Sequence, residues 1–258
     1  MEPAEPVDTL TSYKVITRSL STTLSRTAAT PAVARETAYY KENIAKATTI
    51  DAFVNDRRLL NYALKAWGLE DMSYAKGMIK KVLEGGVDDP RSLANTLQSG
   101  RFKEFAKTFN YKTWETATPV LEGVKTKTVD NYVRQTLEQT TGETNAGVQL
   151  ALYFERKAPN ITSTYSILAD RNLLKVVQTA LGIPASMSAS NIDSQVAMIE
   201  QKLDVADFKD PEKLGKFLAR FAATYDAANS TATAPNVILG GGGFGLNANL
   251  LLSIQKTR

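Results

Sequence analysis

The chain has 258 residues, 43% apolar and 22% charged, with 31 basic and 27 acidic side chains for a net charge of +4. That is enough for one large domain or two small ones with a buried core, and the balance is that of neither a disordered tail nor a fibre. Cysteine and histidine are both absent, which excludes disulfides, thiolate nucleophiles, imidazole bases, triads of the Ser-His-Asp or Cys-His type and zinc sites built on those ligands.

Charges of both signs alternate along the chain, and the densest basic pairs, Arg57-Arg58 and Lys80-Lys81, have acids nearby. The concentrated stripe that a phosphate backbone requires is missing, so no nucleic-acid partner is expected. No apolar run approaches the roughly 20 residues that span a bilayer, so no membrane insertion is expected. The opening residues, Met1-Glu2-Pro3-Ala4-Glu5-Pro6, start acidic and lack the apolar stretch of a secretory signal.

Residues 1–30 read as a polar N-terminal segment. Between Thr9 and Thr30, 11 of 22 residues are Ser or Thr, and no acid occurs from Thr9 to Arg35. Leu10, Tyr13, Leu20 and Leu24 keep near-helical spacing, which predicts a helix with a narrow apolar seam, too narrow for a deep core position. A loosely folded export or assembly segment is the alternative. Asp51 precedes Phe53, Val54, Leu60, Ala63, Leu64 and Trp67 on one face, with Gly68 where a helix-ending glycine stands. Ser73 is expected to cap a helix carrying Met78, Ile79, Val82 and Leu83, closed by Gly85-Gly86. Asp89-Pro90 reads as a cap with proline at the first helical position, leading into Leu93, Leu97, Phe102, Phe105 and Phe109. A second set begins near Lys125 with Val129, Val133 and Leu137, then Val148, Leu152 and Phe154. No segment sustains two-residue alternation, so the predicted class is all-α.

Residues 229–258 read as a tail hinged at Gly240-Gly241-Gly242-Gly243. Its apolar face, Leu246, Leu250, Leu251 and Ile254, is a candidate docking surface for a partner helix. No Gly-Lys-Ser/Thr follows the glycines, so a phosphate loop is not expected. The acid pairs Glu70-Asp71 and Asp88-Asp89 lie in turn contexts. No catalytic constellation, metal site or cofactor is expected.

Residues 39–69 align without gaps on 153–183 at an offset of 114, with 8 of 31 pairs identical, where average residue usage gives about two. Further on, Asp89-Pro90 matches Asp210-Pro211. The expectation is two duplicated multi-helix units, residues 9–111 and 122–227, packed together; one core or two is open, with a shared core favoured. Asp-Arg-x-Leu-Leu is written twice, at Asp56-Arg57-Arg58-Leu59-Leu60 and Asp170-Arg171-Asn172-Leu173-Leu174. Asp56, Arg57, Asp170 and Arg171 are therefore candidate interaction residues. Neighbours on a helix diverge by about 100°, so each pair would reach other helices rather than face itself, and a role in fixing helix packing is favoured over a binding spot.

At Tyr39-Tyr40, the first Asp-Arg-x-Leu-Leu, Ala66-Trp67-Gly68-Leu69 and their second copies, the sequence resembles the bacterial family catalogued as domain of unknown function 1217, over residues 10–230. Members of that family are often encoded with flagellar and motility genes, so the resemblance implies a motility role. It brings no catalytic or binding residues. Exported flagellar proteins similarly lack Cys and are rich in Ser, Thr, Asn and Ala, although the Asn-rich N-terminal signature of rod and hook proteins is missing here. The expectation is a non-enzymatic accessory or assembly protein of the flagellar system, acting through contacts with other proteins, flagellar components among them. It would be cytoplasmic, or exported to the flagellum without a cleaved signal peptide. The alternative is a domain that binds a small ligand or signal in the cleft between the two units.

Overall fold

A computed structural model describes residues 8–97 and 100–229. The glycine run and the tail residues Leu246, Leu250, Leu251 and Ile254 lie outside the described residues. Regular structure is entirely helical among those described, with no strand.

Helices α1 (Thr9–Arg18) and α2 (Leu20–Ala29) form one run broken at Ser19. Their Ser and Thr hydroxyls do not compete with the helix, because they bond to carbonyls four residues back. Thr17 donates to Tyr13, Thr23 to Ser19, Ser25 to Ser21 and Thr27 to Thr23. Asp8 caps the start, its Oδ1 accepting the Thr11 N–H at 2.8 Å. Then come α3 (Pro31–Asn43), α4 (Ile50–Asn55), α5 (Arg57–Ala66), α6 (Lys76–Gly85), α7 (Leu93–Thr96), α8 (Gly100–Thr108) and α9 (Tyr111–Trp114). A π-turn at Gly123–Lys127 opens α10 (Thr128–Thr144). The order continues with α11 (Ala146–Lys157), α12 (Thr164–Leu168), α13 (Arg171–Leu181), α14 (Ile192–Glu200) and α15 (Pro211–Asn229).

Three expected boundaries differ. The run after Asp51 is split at Asp56, which caps α5 instead of lying inside one helix. Helix α6 starts after Ala75 with no side-chain cap, so Ser73 does not serve it. Asp89 accepts the Arg91 N–H in a turn, and the helices beyond it are the short α7 and α8. Its sequence counterpart Asp210 does open a helix, taking the N–H groups of Glu212 and Lys213 at the start of α15.

Buried side chains form two clusters rather than one shared core. The first runs from Val33 to Val133 and centres on aromatics such as Phe53 and Phe109, stacked 4.9 Å apart. The second takes Tyr13 and residues from Val148 to Phe221, Phe154 and Val176 among them. Membership crosses the expected 9–111 and 122–227 division. Helix α1 packs on α11 and places Tyr13 in the second cluster, while α10 lies along both α5 and α11 and places Tyr132 and Val133 in the first. The Tyr132 ring stacks 3.8 Å from Tyr62, which in turn stacks 4.4 Å from Tyr40, joining α3, α5 and α10. Each half thus lends an early helix to the other. The N-terminal seam packs against the body at the edge of both clusters: Tyr13 is buried in the second with Leu10 partly buried beside it, and Leu24 is partly buried against the first.

Burial holds the phenols of Tyr13, Tyr40, Tyr62, Tyr111, Tyr132 and Tyr153 above the usual tyrosine range. In the unfolded chain they ionise near pH ~10, so the unfolded state sheds protons first and stability falls as pH rises beyond that point. The thermal midpoint should hold up to about pH 9.5 and drop steeply by about pH 11. A level midpoint across that window would mean that these hydroxyls are not buried.

Candidate functional site

The repeated aspartates are helix caps. Asp56 Oδ1 accepts the N–H groups of Arg58 and Leu59, both at 3.0 Å, and its Oδ2 accepts the Tyr39 hydroxyl at 2.9 Å. Asp170 repeats the arrangement with Asn172 at 2.9 Å, Leu173 at 3.2 Å and the Tyr153 hydroxyl. Upstream of each cap lie a three-residue 3₁₀ turn (Ile44–Lys46; Ala158–Asn160) and a hydroxyl-capped helix start, at Thr49 and Ser163. Downstream, α5 and α13 close alike. Gly68 (φ 66°) and Gly182 (φ 64°) take the left-handed conformation that a Cβ disfavours. The N–H groups of Leu69 and Ile183 then reach back to the carbonyls of Leu64 and Gln178, both at 2.8 Å.

Arg57 and Arg171, expected to reach a neighbouring helix, are exposed and make no hydrogen bond or ion pair among the described residues. The next residue does that work in the first half. Arg58 bonds Glu36 at 3.1 Å and covers the Tyr39 ring at 3.7 Å. Replacing either aspartate by alanine should cost about 1–2 kcal/mol through the lost cap. Asp170→Ala should cost more than Asp56→Ala, because Tyr153 is buried and Tyr39 only half-buried. Urea denaturation measures both, and unchanged midpoints would mean that neither cap stabilises its helix.

A cleft of about 650 Å³ opens where the first half meets the second. Its walls come from the α5 C-terminus, α7 and α8 on one side and from α11 and the α12–α13 turn on the other, with α10 contributing Asn131 and Gln135. Five cations line it (Arg101, Lys103, Lys127, Arg156 and Lys157) against two carboxylates, Glu104 and Asp170. Several of these groups are committed. Arg156 gives Nε and Nη2 to Glu138, each at 2.7 Å, Arg101 Nη1 donates to the Gly68 carbonyl, and Asp170 is occupied by its cap. Lys157 is half-buried and makes no hydrogen bond or ion pair among the described residues. Burial, followed by the Arg156 charge, holds its ammonium below the usual lysine range. Lys127 Nζ lies 5.2 Å from the Trp67 ring centre, and the Trp67 indole N–H is buried without an acceptor.

Of this cleft, Ala66, Trp67, Gly68, Leu97, Tyr153 and the Asp170 turn stood out in sequence, Asp170 as a candidate interaction residue and the others as scaffold. Lys103, Lys127 and Lys157 are separated along the chain and carry no local signal. Among the described residues no cluster of acids is placed to hold a metal, and no helix is long and apolar enough to cross a membrane.

A family model described as protein of unknown function (DUF1217) matches residues 66–214, which contain every residue lining the cleft. The crystal structure of protein AGR_C_984 from Agrobacterium tumefaciens superposes with a TM-score of 0.81 at 44% identity, over 88% of this chain and 98% of that one. Among curated proteins, nothing matches the chain.

Proposed function

The chain belongs to the DUF1217 family, and from that premise we propose that it is a non-enzymatic helical binding protein of the motility apparatus, working through the cleft between its two cores. The observation that carries this reading is the surplus of three positive charges on facing walls of one cavity. Like charges gathered in a concave space draw an anionic partner to it. Shared caps, turns and glycine closures support reading 39–69 and 153–183 as copies of one ancestral unit, with the cleft formed where they meet.

A second reading, docking to a flagellar protein, draws on the segment 111–120. Trp114 is 52% exposed and Val120 53%, around Glu115 held at φ 46°. A non-glycine residue in that region stores strain that marks functional segments more often than ordinary loops.

Deleting the gene and complementing it tests the first reading. Deletion should reduce swimming, the wild-type gene should restore it, and Lys103→Glu/Lys127→Glu should fold normally without restoring it. Normal swimming of the deletion strain removes the motility assignment; full rescue by the double variant removes the cleft as working surface.

A further inference from the structure

The cleft's dimensions and its donor chemistry narrow the occupant. A volume of about 650 Å³ falls within the roughly 300–1,000 Å³ of small-molecule sites, where a folded partner would need a broad surface instead. Both guanidinium groups are already engaged, Arg156 by Glu138 and Arg101 by the Gly68 carbonyl. What remains are three ammonium groups, on Lys103, Lys127 and Lys157, with amides such as Asn131 and Gln135 beside them. A planar carboxylate is matched best by a free guanidinium fork. A phosphoryl group, with up to two charges and three oxygens pointing in different directions, suits separate point-charge donors.

One donor marks where such a ligand would gain most. The Lys157 ammonium is half-buried with the Tyr153 ring 5.9 Å away, and its acidic neighbour Asp170 already accepts two backbone N–H groups and a phenol. A half-buried charge without an anionic partner is costly, and an incoming anion reduces that cost. The indole N–H of Trp67 also lacks an acceptor, but it is closed to solvent, so a ligand in the cleft does not reach it. Around them, Ala66, Leu97, Ile161 and Leu173 give the cleft apolar walls beside Trp67 and Tyr153, whose rings carry the Lys127 ammonium at 5.2 Å and the Arg156 guanidinium at 5.1 Å. Bare phosphate would leave those walls unfilled.

Resting on the cleft reading above, we infer that the cleft binds a small organic phosphate, its phosphoryl group held by Lys157 with Lys127 and Lys103 and its carbon body set against Trp67 and Tyr153. The chain has two tryptophans, and Trp114 is half exposed, so Trp114→Phe in the full-length protein leaves Trp67 as the sole tryptophan, excited at wavelengths where the tyrosines do not absorb. That protein is titrated with adenosine 5′-monophosphate, ribose 5-phosphate, inorganic phosphate, citrate and adenosine, following Trp67 emission and the thermal midpoint together. At least one organic phosphate should give a saturable response that inorganic phosphate and adenosine do not match. Lys157→Met keeps the apolar stem, so the fold should persist while binding weakens about tenfold, the size expected for one charge-assisted hydrogen bond. Lys41→Met, away from the cleft, should bind as wild type does. Citrate binding more tightly than either organic phosphate overturns the phosphate assignment and leaves an anion-binding cleft standing. No saturable response by either measurement, or binding indifferent to Lys157→Met, overturns the inference itself. The cleft reading fails on different grounds, when Lys103→Glu/Lys127→Glu restores swimming.

Discussion

A chain lacking residues 1–30 should fail to build its second core. The polar composition of this stretch suggests a dispensable appendage, but α1 is held at its start by buried bonds. Thr9 is fully buried, its N–H donates to Asp226 Oδ2 at 2.8 Å, and its hydroxyl bonds to Asp226 Oδ1 and Asn145. Gly147 makes the approach possible: a Cβ there would stand 2.6 Å from the Tyr225 ring and 2.7 Å from the Thr9 hydroxyl. Leu10, Tyr13 and Ile16 then pack on the second cluster, and Leu24 with Ala28 on the first. At about 1.5–3 kcal/mol for the buried Tyr13 and roughly half that for each of the partly buried Leu10, Ile16 and Leu24, they supply roughly 4–8 kcal/mol, a large share of the about 5–15 kcal/mol that stabilises a typical domain. Circular dichroism should show the truncated chain losing helix and its cooperative melt. Asp226→Ala is the milder form, expected to cost about 1–3 kcal/mol by stranding buried donors. A truncated protein melting like the intact one would make α1 an ornament.

Glu138→Ala should be the most damaging single substitution on α10. The Glu138 side chain is 1% exposed and serves two arginines: Arg134 through Nε at 3.0 Å, and Arg156 through two nitrogens at 2.7 Å. Arg134 also reaches the Leu152 carbonyl at 3.2 Å and Glu155 at 3.3 Å. Removing the shared carboxylate leaves two guanidinium groups facing each other with little water, at a cost of about 3–5 kcal/mol. Replacing all three by apolar residues of similar size should come close to neutral, since desolvation and attraction then vanish together. Urea midpoints for the single and triple variants decide this. A single-variant loss under about 1 kcal/mol would mean that water reaches the network.

Why some of this was legible in sequence and some was not follows from the range of each signal. Phe53, Leu60, Leu64 and Trp67 repeat at helical spacing, and that local pattern is enough to read an all-α chain. The offset of 114 exposed Asp56 and Asp170 as equivalents, and both turn out to make the same bonds. Their role was less readable, because a capping aspartate and one inside a helix look alike until the chain is seen to break. The burial of α1 was hidden by its hydroxyls, which count as polar in composition but are satisfied by their own helix. A cleft between the two units was expected as the alternative reading, but its cationic lining was hidden for a different reason. Its cations come from α8, the π-turn before α10 and the end of α11, and each reads locally as one more charge on a mixed surface. Only packing α10 against both cores brings them to one space.

The bond between Thr9 and Asp226 spans 217 positions, and a ribosome makes those positions in order. At about 5–20 residues per second, the carboxylate that receives α1 appears roughly 10–40 s after α1 itself. The first core has all its residues by Val133 and can close early, with α10 laid against it. Throughout that interval α1 is a nascent amphipathic helix with no docking site yet synthesised. The second core, and with it the cleft, is finished last, when the final helix of the body delivers Asp226 to the first.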